Sequence, residues 1–162
     1  MDDYISNLVR KYRNRGLLLD AVLFALLAIG TYDPKLIGKD KRLKHYIPED
    51  LDMLISFIAL FKKLITTSNV LTEVSNLSGH LFATSFPLKF AQHIELIDEH
   101  HISAKKICNT ELFRDVGIND AAIADLSKDQ YLILTDDLRL VGKLEKRKID
   151  VINFNHLRIF AW

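Results

Sequence analysis

Cysteine is almost missing from this sequence: Cys108 is the only one among 162 residues. One thiol excludes an intramolecular disulfide and a cysteine-rich zinc site, and it fits a reducing compartment. No catalytic base is evident near Cys108 in the sequence. We therefore expect it to be a small, buried, apolar residue.

Long hydrophobic runs are missing as well. A helix that crosses a bilayer needs about 20 apolar residues, and the most apolar run, residues 21–29, is much shorter. No stretch near the N-terminus combines a basic start with an apolar run of the signal-peptide kind. We expect a cytoplasmic protein that makes no contact with a membrane.

Neither sign of charge dominates, because 22 Lys and Arg stand against 21 Asp and Glu. Any affinity for nucleic acid must therefore come from local patches. The segment 31–47 is such a patch, with an excess of cations over its two acids: Lys35, Lys39, Lys41, Arg42 and Lys44 against Asp33 and Asp40. Two interpretations stay open, an arm that reaches a nucleic-acid backbone and a loop whose charges are only solvated.

Helical and strand patterns alternate along the chain, which is typical of α/β folds. Short apolar runs predict strands at 17–20, 64–67, 131–135 and 150–154, with an added edge strand at 102–107. Continuous apolar strands between helices indicate a parallel sheet covered on both faces. We predict one domain, 1–162, folded as a three-layer α/β/α sandwich with a mostly parallel central sheet. An extra N-terminal helix (1–16) precedes its core (17–156), and an apolar tail (157–162) follows.

Acidic residues stand where predicted strands end or where the following helices begin. Asp20 ends the first strand, Glu73 and Asp120 lie in the first turns of helices, and Asp136 with Asp137 ends the 131–135 strand. Each has an ordinary explanation alone, because Asp caps helices and the helix dipole favours acids near an N-terminus. In a parallel sheet, however, these positions meet at the edge formed by the strand C-termini, where ligands bind.

Carboxylates gathered at one edge repel each other, so protons or a cation must compensate. Oxygen ligands suit a hard divalent ion such as Mg²⁺ or Mn²⁺, and the absence of histidine and thiol from the set argues against zinc. Such a site is suited to phosphodiester hydrolysis, because the metal orients the phosphate and activates a water molecule.

Four segments resemble the PIN-domain ribonucleases, a family that includes the VapC-type toxins of toxin–antitoxin pairs. The segments are Leu17-Leu18-Leu19-Asp20, Thr72-Glu73-Val74-Ser75-Asn76-Leu77, Gly117-Ile118-Asn119-Asp120-Ala121-Ala122-Ile123, and Ile133-Leu134-Thr135-Asp136-Asp137-Leu138-Arg139-Leu140. The last two carry most of the specificity.

The resemblance implies a role for each residue of these segments that carries a charge or a hydroxyl at the predicted edge. Asp20, Glu73, Asp120 and Asp137 would bind the metal, Thr135 would orient the site, and Asp136 would support it from outside the metal's coordination sphere. The resemblance further implies Mg²⁺- or Mn²⁺-dependent cleavage of RNA, a homodimer, and a cognate antitoxin. From their place after the acid pair, we expect Arg139 and Lys143 to contact RNA.

Two other functions remain open at this stage. A catalytically degenerate PIN-like module would bind RNA or a protein without cutting, but it has no reason to keep four like charges together. A phosphohydrolase acting on a small phosphate ester would favour a glycine-rich phosphate loop, and the sequence has none.

Overall fold

The computed structural model describes residues 3–160, without the side chains of residues 159 and 160. Its centre is a sheet of five strands: β1 (Leu17–Leu19), β2 (Leu64–Thr67), β3 (Asp98–His100), β4 (Leu132–Thr135) and β5 (Val151–Asn153). The strand order is β3-β2-β1-β4-β5, and every neighbouring pair is parallel. All five strands therefore end at one edge of the sheet, here called the carboxyl edge, and begin at the opposite amino edge.

Helices connect the strands. In chain order they are α1 (Asp3–Tyr12), α2 (Ala21–Tyr32), α3 (Pro48–Ile58), α4 (Ser68–Leu77), α5 (Phe86–Glu95), α6 (Ala104–Cys108), α7 (Phe113–Ser127), α8 (Leu138–Lys146) and α9 (Phe154–Phe160). Short 3₁₀ turns follow α2 at Pro34–Leu36 and α4 at Gly79–Leu81. The fold class is α/β with a parallel sheet, as predicted, and the arrangement is consistent with three layers.

The core is centred on β1 and β4, whose side chains are all buried. Both strands are continuous apolar runs because helices cover the two faces of a parallel sheet. Helix α2 is likewise buried over nearly its whole length, from Ala21 to Gly30, as expected for a helix that is apolar all round. This burial fixes the start of α2, and with it Asp20, against the end of β1.

Gly16 sets the entry into β1. Its φ of +141° belongs to a region that L side chains rarely adopt, and a Cβ there would lie 2.7 Å from Cγ1 of Ile65. Glycine is required because the backbone passes so close to the neighbouring strand.

The predicted edge strand at 102–107 is wrong. Residues Ala104–Cys108 form α6, and the edge strand is β3, which pairs through Asp98 with Ile65 of β2. Because β3 has a neighbour on one side only and exposed side chains at Asp98 and Glu99, it carries no apolar pattern. Cys108 is exposed, contrary to expectation, since Ile107 is the residue of α6 that packs inward.

The chain termini pack on this body as far as they are described. Helix α1 buries Ile5, Leu8 and Tyr12, and the Tyr12 hydroxyl donates to Asp150 Oδ2 at 2.8 Å. The predicted tail begins inside α9, where Leu157 is buried; the predicted packing of Ile159, Phe160 and Trp162 lies outside the described side chains. Within residues 3–160, no helix has the length and apolarity needed to cross a membrane.

Candidate metal centre

Asp20 follows β1 and caps α2. Its Oδ1 accepts a hydrogen bond from the backbone N–H of Leu23 at 2.8 Å, so the capping interpretation of this residue is confirmed. Its Oδ2 accepts a hydrogen bond from the hydroxyl of Thr135, at the end of β4. The two residues meet because β1 and β4 are neighbours in register, with Leu19 opposite Leu134. Asp20 is thus a helix cap and a member of the carboxyl edge at once.

The two acids after β4 have different surroundings. Asp137 is exposed and caps α8, its Oδ1 accepting from the N–H groups of Arg139 at 2.7 Å and Leu140 at 3.2 Å. Its own N–H donates to Thr135 Oγ1 at 3.0 Å. Asp136 is half-buried, and its carboxylate accepts a hydrogen bond from the hydroxyl of Tyr46.

Glu73 and Asp120 come from two helices that pack together, α4 and α7. The side-chain amide of Asn119 donates a hydrogen bond to Glu73 Oε2. The sequence predicts a helix that begins at Asp120; in the structure its first turn begins after Gly117, where φ +82° and ψ −177° interrupt α7. That conformation is essentially restricted to glycine. The break gives the second half of α7 its own N-terminus, next to Asn119 and Asp120.

The charges of these acids act on each other. Burial and the negative charges of Asp136 and Asp120 raise the pKa of Asp20 to about 7, against the hydrogen bonds from Leu23 and Thr135 that lower it. Burial and the charges of Glu73 and Asp137 raise the pKa of Asp120 to about 6. The two shifts share one cause: acids from four elements meet in a partly dehydrated place.

The chemistry of these side chains suits a hard cation, but the distances between them in the structure do not. All the candidate ligand atoms are carboxylate oxygens, and a divalent ion would offset both the burial and the mutual repulsion that raise the pKa values of Asp20 and Asp120. Nevertheless, in the part of the chain that the structure describes, no three His, Cys, Asp or Glu side chains are close enough to hold an ion. As the structure places them, these carboxylates do not form a closed set of ligands.

The two residues expected to contact RNA, Arg139 and Lys143, differ in whether their side chains have partners within the protein. Arg139 is exposed in the first turn of α8, and its guanidinium makes no hydrogen bond or ion pair with any described residue. Lys143 is engaged within the protein, because its Nζ donates to the backbone carbonyl of Asp115 at 2.8 Å.

Sequence reasoning missed the residues that hold the acids in place. Tyr46 lies in the irregular segment 31–47, and Arg158 lies 5.6 Å above its ring while binding Asp50. Burial and the charge of Asp136 raise the pKa of Tyr46 far above its ordinary value, so its hydroxyl stays a donor. Asn119 precedes Asp120 in segment 117–123, yet only the fold shows that its hydrogen-bond partner is Glu73.

Comparisons with known proteins leave the family open. No protein-family model matches the chain, and no curated protein sequence is similar to it. The resemblance to PIN-domain ribonucleases therefore stays a prediction from four sequence segments.

Proposed function

We propose that this protein is a PIN-like, metal-dependent endoribonuclease that hydrolyses RNA phosphodiester bonds at the carboxyl edge. The observation that supports the proposal most is that acids from four elements share one partly buried place, where burial and then their mutual charges raise the pKa of Asp20 to about 7 and of Asp120 to about 6. Proteins rarely keep such repulsion where it serves only stability, and perturbed carboxylates in one place mark functional sites.

In this proposal Asp20, Glu73, Asp120 and Asp137 hold Mg²⁺ or Mn²⁺. When bound, the ion would orient the scissile phosphate, lower the pKa of a water molecule and stabilise charge on the leaving oxygen. Asp136 keeps its predicted place outside the coordination sphere; after burial, its charge has the largest effect of any acid on the pKa of Asp20.

The chain's own donors keep these carboxylates in fixed orientations. Thr135 holds Asp20, Tyr46 holds Asp136, and Asn119 holds Glu73. Thr135 and Asn119 thus orient two of the proposed ligands, and donors of this kind typically affect metal affinity or activity by roughly 10- to 100-fold.

Asp120 differs from the other acids. Among the described residues no hydrogen bond to its carboxylate contributes to its pKa, which burial and nearby charges alone raise. Both oxygens of Asp120 are therefore free for a ligand, and its replacement should disturb the scaffold least.

The wider proposal follows the resemblance. The protein would act on RNA in the cytoplasm as the toxin of a toxin–antitoxin pair, as a homodimer, and an antitoxin would block the carboxyl edge. Arg139, two residues after Asp137, has an exposed guanidinium without a hydrogen bond or ion pair to any described residue, which supports RNA as the substrate because such cations contact phosphates.

Cleavage of a panel of structured RNAs tests the proposal, with Mg²⁺, with Mn²⁺ and with EDTA. The wild-type protein should cut in the presence of either metal, whereas Asp20→Asn and Asp120→Asn should not. Asp125→Asn is the matched control, since Asp125 lies on the same helix and pairs with Lys106. Full activity in both site variants would refute the assignment.

One observation favours a second function, a PIN-like module that binds RNA or protein without cutting. No three acidic side chains in residues 3–160 approach closely enough to hold an ion. RNA binding with no cleavage under any metal would establish this second function.

A further inference from the structure

The segment between α2 and α3 carries exposed cations without hydrogen-bond or ion-pair partners among the described residues. We call residues 35–44 the basic segment. Lys39, Lys41 and Arg42 are exposed, and their side chains make no hydrogen bond or ion pair with any residue described. Asp40 is the only acid within the segment, and its carboxylate is almost fully buried.

A cavity of about 510 Å³ lies beside these cations. Its lining combines the basic segment with the end of α4 and the turn after it: Leu36, Lys39, Asp40, Lys41, Arg42, Leu77, His80 and Leu81. The Asp40 carboxylate lies 2.7 Å from His80 Nε2 and accepts a hydrogen bond from the backbone N–H of Arg42 at 2.8 Å. Asp40 is thus buried and already partnered, whereas the exposed cations of the lining outnumber it.

The basic segment is fixed to the body of the protein. Leu43 is fully buried, and Gly38 N–H donates to its carbonyl at 3.1 Å. At the end of the segment, Arg158 donates to the carbonyl of His45 at 3.1 Å and binds Asp50 through two nitrogens. Exposed cations on a fixed backbone form a preorganised surface, which lowers the entropic cost of binding.

The cavity also lies close to the acidic site. Leu43 N–H donates to the carbonyl of Asp40, and Tyr46 N–H donates to that of Leu43, so two turns join Asp40 to Tyr46. Each such turn keeps its ends within about 7 Å, so the Cα atoms of Asp40 and Tyr46 are at most about 14 Å apart. Tyr46 in turn touches Asp136. A single RNA strand of a few nucleotides spans that interval.

We propose that the cavity formed by Lys39, Lys41, Arg42 and His80 binds backbone phosphates of single-stranded RNA, a few nucleotides from the bond cut at the carboxyl edge. The inference rests on the proposed nuclease function for its substrate. Of the two interpretations of segment 31–47 given above, this inference favours the arm that contacts a nucleic-acid backbone over the loop whose charges are only solvated.

Binding measured without metal tests this surface separately from catalysis. Fluorescence anisotropy of a short labelled single-stranded oligoribonucleotide would be titrated with protein in EDTA, over a series of salt concentrations. The triple variant Lys39→Ala, Lys41→Ala and Arg42→Ala should bind much more weakly. Its slope of log affinity against log salt should fall by about 2, since each phosphate contact on a single strand contributes about 0.7.

Two variants control for charge. The first replaces three exposed cations near the amino edge whose side chains make no hydrogen bond or ion pair with described residues, Arg13→Ala, Lys62→Ala and Lys128→Ala. It removes the same charge and should keep the wild-type slope. The second, Lys39→Arg, Lys41→Arg and Arg42→Lys, keeps the charge at the cavity and should keep the affinity. Circular dichroism confirms that each variant is folded.

The outcomes separate this inference from the proposed function. Equal losses in the two alanine variants, or no RNA binding by the wild-type protein at low salt, would overturn the phosphate-binding surface. Selective loss in the cavity variant supports it, even where the metal panel shows no cleavage; in that case only the nuclease assignment fails. If the protein cleaves RNA but the cavity variant keeps the wild-type salt slope, the nuclease assignment stands and the phosphate-binding surface is rejected.

Discussion

The hydroxyl of Tyr46 donates a hydrogen bond to the carboxylate of Asp136, across 90 residues of chain. Tyr46 ends the irregular segment between α2 and α3, and Asp136 follows the central strand β4. Tyr46 follows the basic segment by two residues, so this bond ties the chain just after that segment to the carboxyl edge. It also gives Asp136, whose charge raises the pKa of Asp20, a fixed position.

Replacing Tyr46 by Phe should lower the rate of RNA cleavage by roughly tenfold, because Asp136 would lose the donor that orients it beside Asp20 and outer partners of metal ligands have effects of that size. The ring should stay in place, because it packs on Phe154 and beneath Arg158. The free energy of unfolding should fall by about 1.5–3 kcal/mol, the usual contribution of a hydrogen bond to a charged group. Cleavage kinetics and urea denaturation measure the two effects.

Tyr12→Phe is the matched control for that variant. Tyr12 also donates to an aspartate, Asp150, but at the amino edge. It should lose stability to a similar degree and keep its cleavage rate. An equal loss of activity in both variants would mean that Tyr46 acts through stability alone.

Gly117→Ala should destabilise the protein by about 1–3 kcal/mol, because φ +82° with ψ −177° is a conformation that only glycine adopts readily. Space is not the obstacle, since a Cβ there would meet nothing within 4 Å. Cleavage should also fall, as the break after Gly117 sets the position of Asn119 and Asp120. Thermal unfolding and cleavage assays measure both.

Gly142→Ala provides the comparison. Gly142 lies inside α8 and also has open space around it. Alanine there should be neutral or stabilise the helix by roughly 0.5–1 kcal/mol. If both glycine variants were equally stable, the break in α7 would not depend on Gly117.

Stability should depend on pH through Asp20. In the unfolded chain its carboxyl titrates near 3.8, and in the fold its pKa is about 7, so between these values the folded state binds the proton more tightly. The stabilising effect is complete below pH 3.8 and is lost as pH rises through 7. One pKa unit corresponds to about 1.4 kcal/mol, so the loss is on the order of 4 kcal/mol.

Comparison with Asp20→Asn isolates this effect from the other titrating groups. In EDTA, the unfolding free energy of the wild-type protein should fall relative to that of the variant as pH rises from 4 toward 7. Urea denaturation at a series of pH values measures the difference. A constant difference would show that Asp20 keeps an ordinary pKa in the fold.

The parts of the fold that the sequence predicts are those whose burial leaves a pattern. Strands β1 and β4 are continuous apolar runs because both faces of the sheet are covered. Strand β3 has no such pattern, since pairing of its backbone with β2 places it at the edge and leaves its side chains exposed. The sequence predicts the edge strand at 102–107 instead, where Ile102 and Ile107 are the large apolar residues.

The candidate site likewise has residues that the sequence predicts and residues that only the fold identifies. Asp20, Asp136 and Asp137 could be placed because a parallel sheet brings strand ends to one edge. Tyr46 and Asn119 could not, because their roles depend on side-chain partners that are 90 and 46 residues away in the chain. The engagement of Lys143 by Asp115 likewise depends on the packing of α8 near α7.

The central claim is that the acids of the carboxyl edge hold a divalent cation, and titration with Mn²⁺ tests it most directly. Free Mn²⁺ would be measured by electron paramagnetic resonance in the presence of wild-type protein, Asp120→Asn and Asp125→Asn. We predict binding by the wild-type protein and by Asp125→Asn, with binding lost in Asp120→Asn and displaced by excess Mg²⁺. No binding by folded wild-type protein, or equal binding by all three, would contradict the account.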